Sequence, residues 1–332
     1  MEMRFVADNL NFPGGPLVLP GGDVIVAEVC GGALARIAPN GARSIFAETG
    51  GAPTGAAFGP DDAVYVCNNG APKIVREKLP DGRTAYRPPN PGELPAGIGG
   101  QIQRVTLDGK VSAIHRGCDG RSLMAPASLV FDREGNFYFS DIGQHEGPVR
   151  DPGVSTESKH LSVLRMAGAI TRHAAGSIYY ASPDGRTIKE VLHPLASPNG
   201  VALSPDETTL YVGESGTGRL WAFQLVGPGK VGKRRCLGVV PGRRPLNFSW
   251  CEGLAIDAQA DVLTATVVNG GVTTFSPQGG QIEHVSTGDP FTTGMCFGGA
   301  DRRTLYVTLG GSGRLVAYDA WPTQGHRLNF AP

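Results

Sequence analysis

The sequence predicts an all-β fold, a six-bladed β-propeller with a central channel. One observation is a phrase that recurs six times from end to end: a short apolar strand, Pro-Asp-Gly-like turn residues, then a second apolar strand. The copies stand roughly 40–70 residues apart, a spacing suited to propeller blades. A second is the abundance of turn formers, with 49 glycines and 26 prolines. A third is negative: no stretch keeps a helical apolar period over three turns.

The first copy is Leu17-Val18-Leu19 with Val24-Ile25-Val26, and the second is Ala56-Ala57-Phe58 with Val64-Tyr65-Val66. The third is Leu129-Val130-Phe131 with Phe137-Tyr138-Phe139, and the fourth is Val201-Ala202-Leu203 with Leu210-Tyr211-Val212. Leu254-Ala255-Ile256 with Val262-Leu263-Thr264, and Met295-Cys296-Phe297 with Leu305-Tyr306-Val307, complete the set. Later strands follow, such as Arg219-Leu220-Trp221-Ala222-Phe223, with turns such as Asp108-Gly109 and Pro183-Asp184-Gly185 that favour antiparallel hairpins. Residues 1–332 therefore read as one domain. A ring without an open edge needs both termini in one blade. Met3–Ala7 and Arg327–Phe330 are both strand-like, and both are expected beside residues 291–320. Two segments break the rhythm, Tyr86–Gly100 and Gln144–His160, and long irregular segments of this kind serve as binding loops or as passive insertions.

The formal net charge is zero. With no basic stripe to neutralise phosphates, nucleic acid is not an expected partner. No apolar run reaches the roughly 20 residues of a membrane span, and the start lacks the plan of a signal peptide, so a cytoplasmic location is expected. The six cysteines have no C-x-x-C spacing. The expected partner is a small molecule; oligomeric state is not set by the sequence.

In a propeller the inner strands converge, and the residues just before each apolar run crowd one mouth of the channel. Here these are Gly14, Thr54, Ala127, Asn199, Glu252 and Gly294. Phe12-Pro13-Gly14-Gly15-Pro16, Val66-Cys67-Asn68-Asn69-Gly70, Ser197-Pro198-Asn199-Gly200-Val201 and Thr217-Gly218-Arg219-Leu220-Trp221 resemble the senescence-marker-protein/gluconolactonase/luciferin-regenerating-enzyme-like family. So do Phe139-Ser140-Asp141 and the run Gly176-Ser177-Ile178-Tyr179-Tyr180-Ala181, so that the likeness covers nearly the whole chain.

The resemblance implies a six-bladed propeller, lactonase-type chemistry, and a divalent cation, often calcium, held by a Glu, one or two Asn and an Asp of the inner strands. This chain departs from that pattern. Gly14 stands where the family has a Glu, Thr54 where it commonly has an Asn, and Ala127 where it has an Asn. Glu252 replaces an Asp, Gly294 an Asn, and Asn199 is kept. Calcium prefers about six to eight oxygen ligands with carboxylates among them. No tightly held metal is therefore expected; a weak or vestigial calcium would rest on Asn199 and Glu252.

A lone carboxylate in a narrow apolar channel is desolvated and its pKa rises, which suits a general acid/base near neutral pH. Glu252 and Asn199 are the expected catalytic residues. Thr54 is expected to offer one further hydrogen bond to a substrate, and Gly14, Ala127 and Gly294 to shape a pocket roomier and less polar than a sugar site. Trp250 is read as an aromatic wall or as packing between blades. His145, with His160, lies in the second insertion, within reach of the channel if that loop folds over it. Cys251 is a nucleophile only beside a base, and Glu28 either lines the pocket or pairs with an arginine. Three functions compete. One is a lactonase-type hydrolase with Glu252 as acid/base. Another is a metal-independent isomerase, cyclase or lyase using Glu252 and Asn199 on a bulkier apolar substrate. The third is a non-catalytic ligand-binding propeller.

Overall fold

The computed structural model describes residues 1–331 except 73, 79–83, 88–89, 91, 94–96, 144–174 and 244–247. Among these every regular element is a β-strand. No helix among them is long and apolar enough to cross a membrane. Six four-stranded antiparallel sheets form the blades. Their inner strands are Pro13–Val18, Pro53–Phe58, Pro126–Phe131, Pro198–Leu203, Trp250–Ile256 and Thr292–Gly298. Each inner strand touches the next, and the sixth touches the first, which closes the ring.

The burial of each strand follows from its place in the blade. Second strands such as Val24–Glu28, Val64–Asn68 and Phe137–Asp141 are buried along their whole length. They lie in mid-sheet with a neighbouring blade on each face, so they read as continuous apolar runs instead of alternating ones. Outer strands such as Gln281–Ser286 are largely exposed and carry polar residues. The core is a set of clusters between blades, for example Tyr65, Ile102, Phe131, Phe137 and Phe139 between blades 2 and 3.

Arg4–Ala7 completes blade 6 by pairing antiparallel with Arg314–Tyr318, as expected from the sequence. Arg4 adds an ion pair to Asp319 at 2.5 Å. The expectation for Arg327–Phe330 is corrected: these residues form no strand. Arg4–Ala7 already occupies the only free edge of that blade, so the C-terminal segment has no ladder to join. It runs instead across the channel at the end opposite the ring residues. The His326 amide donates to Ile256 O at 2.8 Å, and the Ala258 amide to Gln324 O at 2.7 Å, in blade 5. Asn329 Nδ2 donates to Glu207 Oε1 at 2.6 Å in blade 4 and to Phe131 O at 3.2 Å in blade 3. Phe330 meets Phe131 edge-on. This strap ties blades 3, 4 and 5 to blade 6, where the Gly325 amide donates to Arg302 O at 2.8 Å.

The first irregular segment begins earlier than the sequence suggests. Val75–Lys78 pairs with Thr84–Arg87 as a small ribbon over blade 1. Arg76 Nη1 donates to Asn11 Oδ1 at 3.3 Å, and Tyr86 packs edge-on against Phe12 at 4.9 Å between centroids. Residues 144–160 lie outside the described residues.

Candidate active site

A β-bulge falls at the same point in every blade. The register between inner and second strands slips after Gly14, Pro53, Pro126, Pro198, Cys251 and Thr292. A bulge frees residues from the flat ladder and re-aims their side chains. In blades 2 to 5 the freed residues begin with Thr54, Ala127, Asn199 and Glu252. All four line a single cavity of about 530 Å³ that occupies the channel.

The same register corrects the sixth position. Thr292 pairs with Leu309 as Pro53 pairs with Asn68, so the equivalent of Thr54 is Thr293, one residue before Gly294. Gly294 belongs to a different belt, that of Gly15, Gly55, Gly200 and Gly253. A Cβ on Gly200 would stand 2.0 Å from Glu252 O, one on Gly55 2.6 Å from Ala127 O, and one on Gly294 3.0 Å from Gly15 N. These residues lack side chains because the next inner strand passes there; they make the channel narrow and not, as expected of Gly294, roomy. Gly14 differs. Its Cβ would meet Val29 and Thr54 O at 3.7 and 3.8 Å, ordinary contact distances, so this position does open the pocket.

The ring therefore consists of Gly14, Thr54, Ala127, Asn199, Glu252 and Thr293. Both threonines are committed to the scaffold. Thr54 Oγ1 reaches Cys67 O at 3.1 Å and Pro126 O of blade 3 at 3.2 Å. Thr293 Oγ1 reaches Pro13 O of blade 1 at 2.5 Å. Ser140 and Ser215 make the corresponding bonds from blade 3 to Asn199 O and from blade 4 to Cys251 O. A belt of hydroxyls thus locks the strand ends that carry the ring.

Within the ring, what remains polar is confined to adjacent blades, at Asn199 and Glu252. Among the described residues neither the Glu252 carboxylate nor the Asn199 amide has a side-chain hydrogen-bond partner, and Glu252 has no cationic neighbour in ion-pair distance. Glu252 sits deep in the protein and faces only the cavity, and burial alone pushes its carboxyl up to about 8. Protonated it is a donor and ionised a base, and near neutral pH both forms are populated. The sequence reading missed Asn69. It follows the second strand of blade 2 and lines the cavity, and its Oδ1 is buried with no partner among the described residues. Its place in Asn68-Asn69-Gly70 is the only clue in the sequence. Phe12 was also missed; it lines the cavity and packs edge-on against Tyr86 and Phe291, which do not line it.

The other expected residues lie elsewhere. Trp250 is buried against Phe248, Val267 and Val268, outside the cavity lining, so it packs the blade and is no wall of the site. Cys251 is fully buried with Sγ near Gly218 O, and burial raises its thiol far above the usual range, which leaves it inert. Glu28 pairs with Arg43 at 2.6 Å and accepts from the Asn11 amide. His145 and His160 lie outside the described residues.

The cation implied by the family resemblance can be tested against the donors present. Among the described residues the ring end of the cavity offers one carboxylate and two amides, from Glu252, Asn199 and Asn69. Among the described residues no three His, Cys, Asp or Glu side chains converge. Calcium asks for about six to eight oxygens and charge compensation, and this donor set does not fit it.

A profile described as SMP-30/Gluconolactonase/LRE-like region matches residues 12–311. Lactonase drp35 of Staphylococcus haemolyticus is 31% identical over 154 residues, which are 46% of this chain and 38% of that protein. The chain thus matches well under half the length of that relative. A gluconolactonase of Xanthomonas campestris superposes with TM-score 0.68 at 20% identity, over 98% of this chain and 89% of the other. The calcium-binding protein regucalcin of Agrobacterium tumefaciens superposes with TM-score 0.65 at 16% identity, over 100% and 97% of the two chains. At these identities the structural likeness speaks to the fold.

Proposed function

The chain belongs to the SMP-30/gluconolactonase/LRE-like family, and from that premise we propose that it is a lactonase-type hydrolase that opens a cyclic ester in the channel without a metal. The observation that carries this reading is Glu252, a carboxyl pushed up to about 8, facing the cavity beside Asn199. The ionised Glu252 takes a proton from water as the hydroxide adds to the ester carbonyl. Asn199 Nδ2 donates to the oxygen that gains charge. The ring C–O bond then breaks, and the departing alkoxide takes the proton from Glu252. The small, apolar walls around Gly14 and Ala127 suit an ester bulkier and less polar than a sugar lactone.

A panel of lactones of increasing chain length tests this. Hydrolysis is expected to survive EDTA, with kcat/KM rising with pH through an inflection near 8, because the base form is the active one. Glu252→Gln is expected to lower kcat/KM by about a thousandfold, within the range of general-base catalysis. No hydrolysis anywhere in the panel, or activity abolished by chelator, overturns the reading.

The Asn199–Glu252 pair, unpartnered among the described residues, equally supports a second reading, an isomerase, cyclase or lyase in which Glu252 moves a proton on a non-ester substrate. Turnover of an apolar cyclic substrate without ring-ester hydrolysis, lost in Glu252→Gln, would favour it. Ligand binding without turnover, indifferent to Glu252→Gln, would favour a binding propeller.

A further inference from the structure

The channel has a chemically distinct far end. Four residue steps of inner strand lead from Glu252 to Ile256, about 13 Å at the rise of an extended chain. At the level of Ile256 the strap crosses, and the cavity lining changes to Arg302, His326, Arg327 and Asn329. Between the two levels the walls are apolar, with Leu17, Phe58, Leu129, Leu254 and Phe297.

Arg302 lies in the turn between the first two strands of blade 6, and its Nε donates to Gly325 O of the strap at 3.1 Å. That bond aligns the guanidinium and leaves both terminal nitrogens without a protein acceptor among the described residues. Arg302 and Arg327 take part in none of the ion pairs among these residues, which use other arginines. The acids nearby are engaged or turned away. Glu207 is bound by Arg133 at 3.1 Å and by Asn329. Asp257 is buried beneath the strap, where its Oδ1 accepts the Gln259 and Asp261 amides and its Oδ2 has no hydrogen-bond partner among the described residues; it does not line the cavity. His326 is held below its usual range by burial and by Arg302 beside it, so it is neutral near pH 7 and leaves the arginines as the cations there.

Two arginines without carboxylate partners among the described residues, at the end of an apolar tube, have the geometry of an anion subsite. Guanidinium forks bind carboxylates through paired, charge-assisted hydrogen bonds. We infer that the far end of the channel is a second binding subsite, which holds the terminal carboxylate of an elongated apolar substrate whose other end lies at Glu252 and Asn199. This deepens the proposed function and rests on the channel being the substrate site; it does not rest on the reaction catalysed there.

The test is binding, so failure of the lactonase reading leaves it intact. Decanoate and its neutral analogue decanamide are titrated into the full chain by calorimetry at pH 7.5. Decanoate is expected to bind at least tenfold more tightly than decanamide. Arg302→Met and Arg327→Met are each expected to remove most of that difference, and Arg302→Lys to keep part of it. Arg327, an exposed side chain with no protein partner among the described residues, serves if Arg302→Met does not fold. Absence of decanoate binding, equal affinity for the two ligands, or an unchanged preference in Arg327→Met and the folded Arg302 variants would overturn the subsite.

Discussion

The side of the ring made by blades 4 and 5 and the side made by blades 1 to 3 share one backbone plan and differ in almost everything chemical. The bulge, the hydroxyl belt and the close strand contacts recur around the circle. Yet at the ring positions blades 4 and 5 present an amide and a carboxylate to the cavity, while blades 1 to 3 present Gly14, a threonine held by two carbonyls, and Ala127, and the Asn69 amide of blade 2 reaches the cavity from the end of a second strand. The difference teaches that the propeller supplies position and the individual blade supplies chemistry. One half of the ring can lose its polar groups without any change in strand register.

The largest contrast is between a ring glycine and a belt glycine given the same methyl group, because the belt recurs on both sides and Gly14 stands at a ring position. Gly200→Ala forces a Cβ to within 2.0 Å of Glu252 O, and it is expected to cost about 3 kcal/mol, as overpacking does. Gly14→Ala meets only ordinary contacts and is expected to be neutral, or stabilising by up to about 1 kcal/mol. Urea denaturation of the two variants measures the contrast, and equal losses would show that Gly14 too is held by strand approach.

Removing the charge sharpens it. The Glu252 carboxyl ordinarily titrates near 4.5 and stands near 8 in the fold. The folded state therefore binds the proton more tightly than the unfolded one. Its contribution is fully present below about pH 4.5 and is lost as pH rises to about 8. Glu252→Gln is expected nearly to match the parent in stability at pH 4.5 and to exceed it by about 2 kcal/mol at pH 6. Melting curves at the two pH values decide; a variant that is no more stable at pH 6 would mean a solvated or paired carboxylate.

The smallest effect is expected on the quiet side. Thr54→Val removes the bond to blade 3 and is expected to cost about 1 kcal/mol, with no change in the pH dependence of stability or rate. A shifted pH profile in that variant would place Thr54 in the chemistry after all.

The blade plan was legible in the sequence because each buried second strand writes an uninterrupted apolar run between turn residues. Asn199 and Glu252 were legible because a fixed offset from such a run places them at the mouth. The sixth ring residue was misplaced by one. Blades 2 to 4 announce the bulge with a proline, at Pro53, Pro126 and Pro198, whereas Thr292-Thr293-Gly294 carries no such mark. A one-residue slip of register moves a side chain to the other face. The engagement of Thr54 was not legible, because its partner Pro126 O lies in another blade. Nor was the path of 324–331, since its bonds run to Ile256, Glu207 and Phe131, residues far away in the chain and near only once the ring exists.

The seam in blade 6 bears on how such a molecule is made. Arg4 and Asp319 meet across 315 residues, and no shorter-range pairing can stand in for theirs. During synthesis five sheets are complete before the sixth can recruit its outer strand, and until then the growing protein is an open arc with an unpaired edge. Contacts this distant in sequence form late and slowly. The arc is therefore the species most exposed to pairing with another chain. The clasp that makes the ring is thus also its point of greatest vulnerability, borne only while the protein is being born.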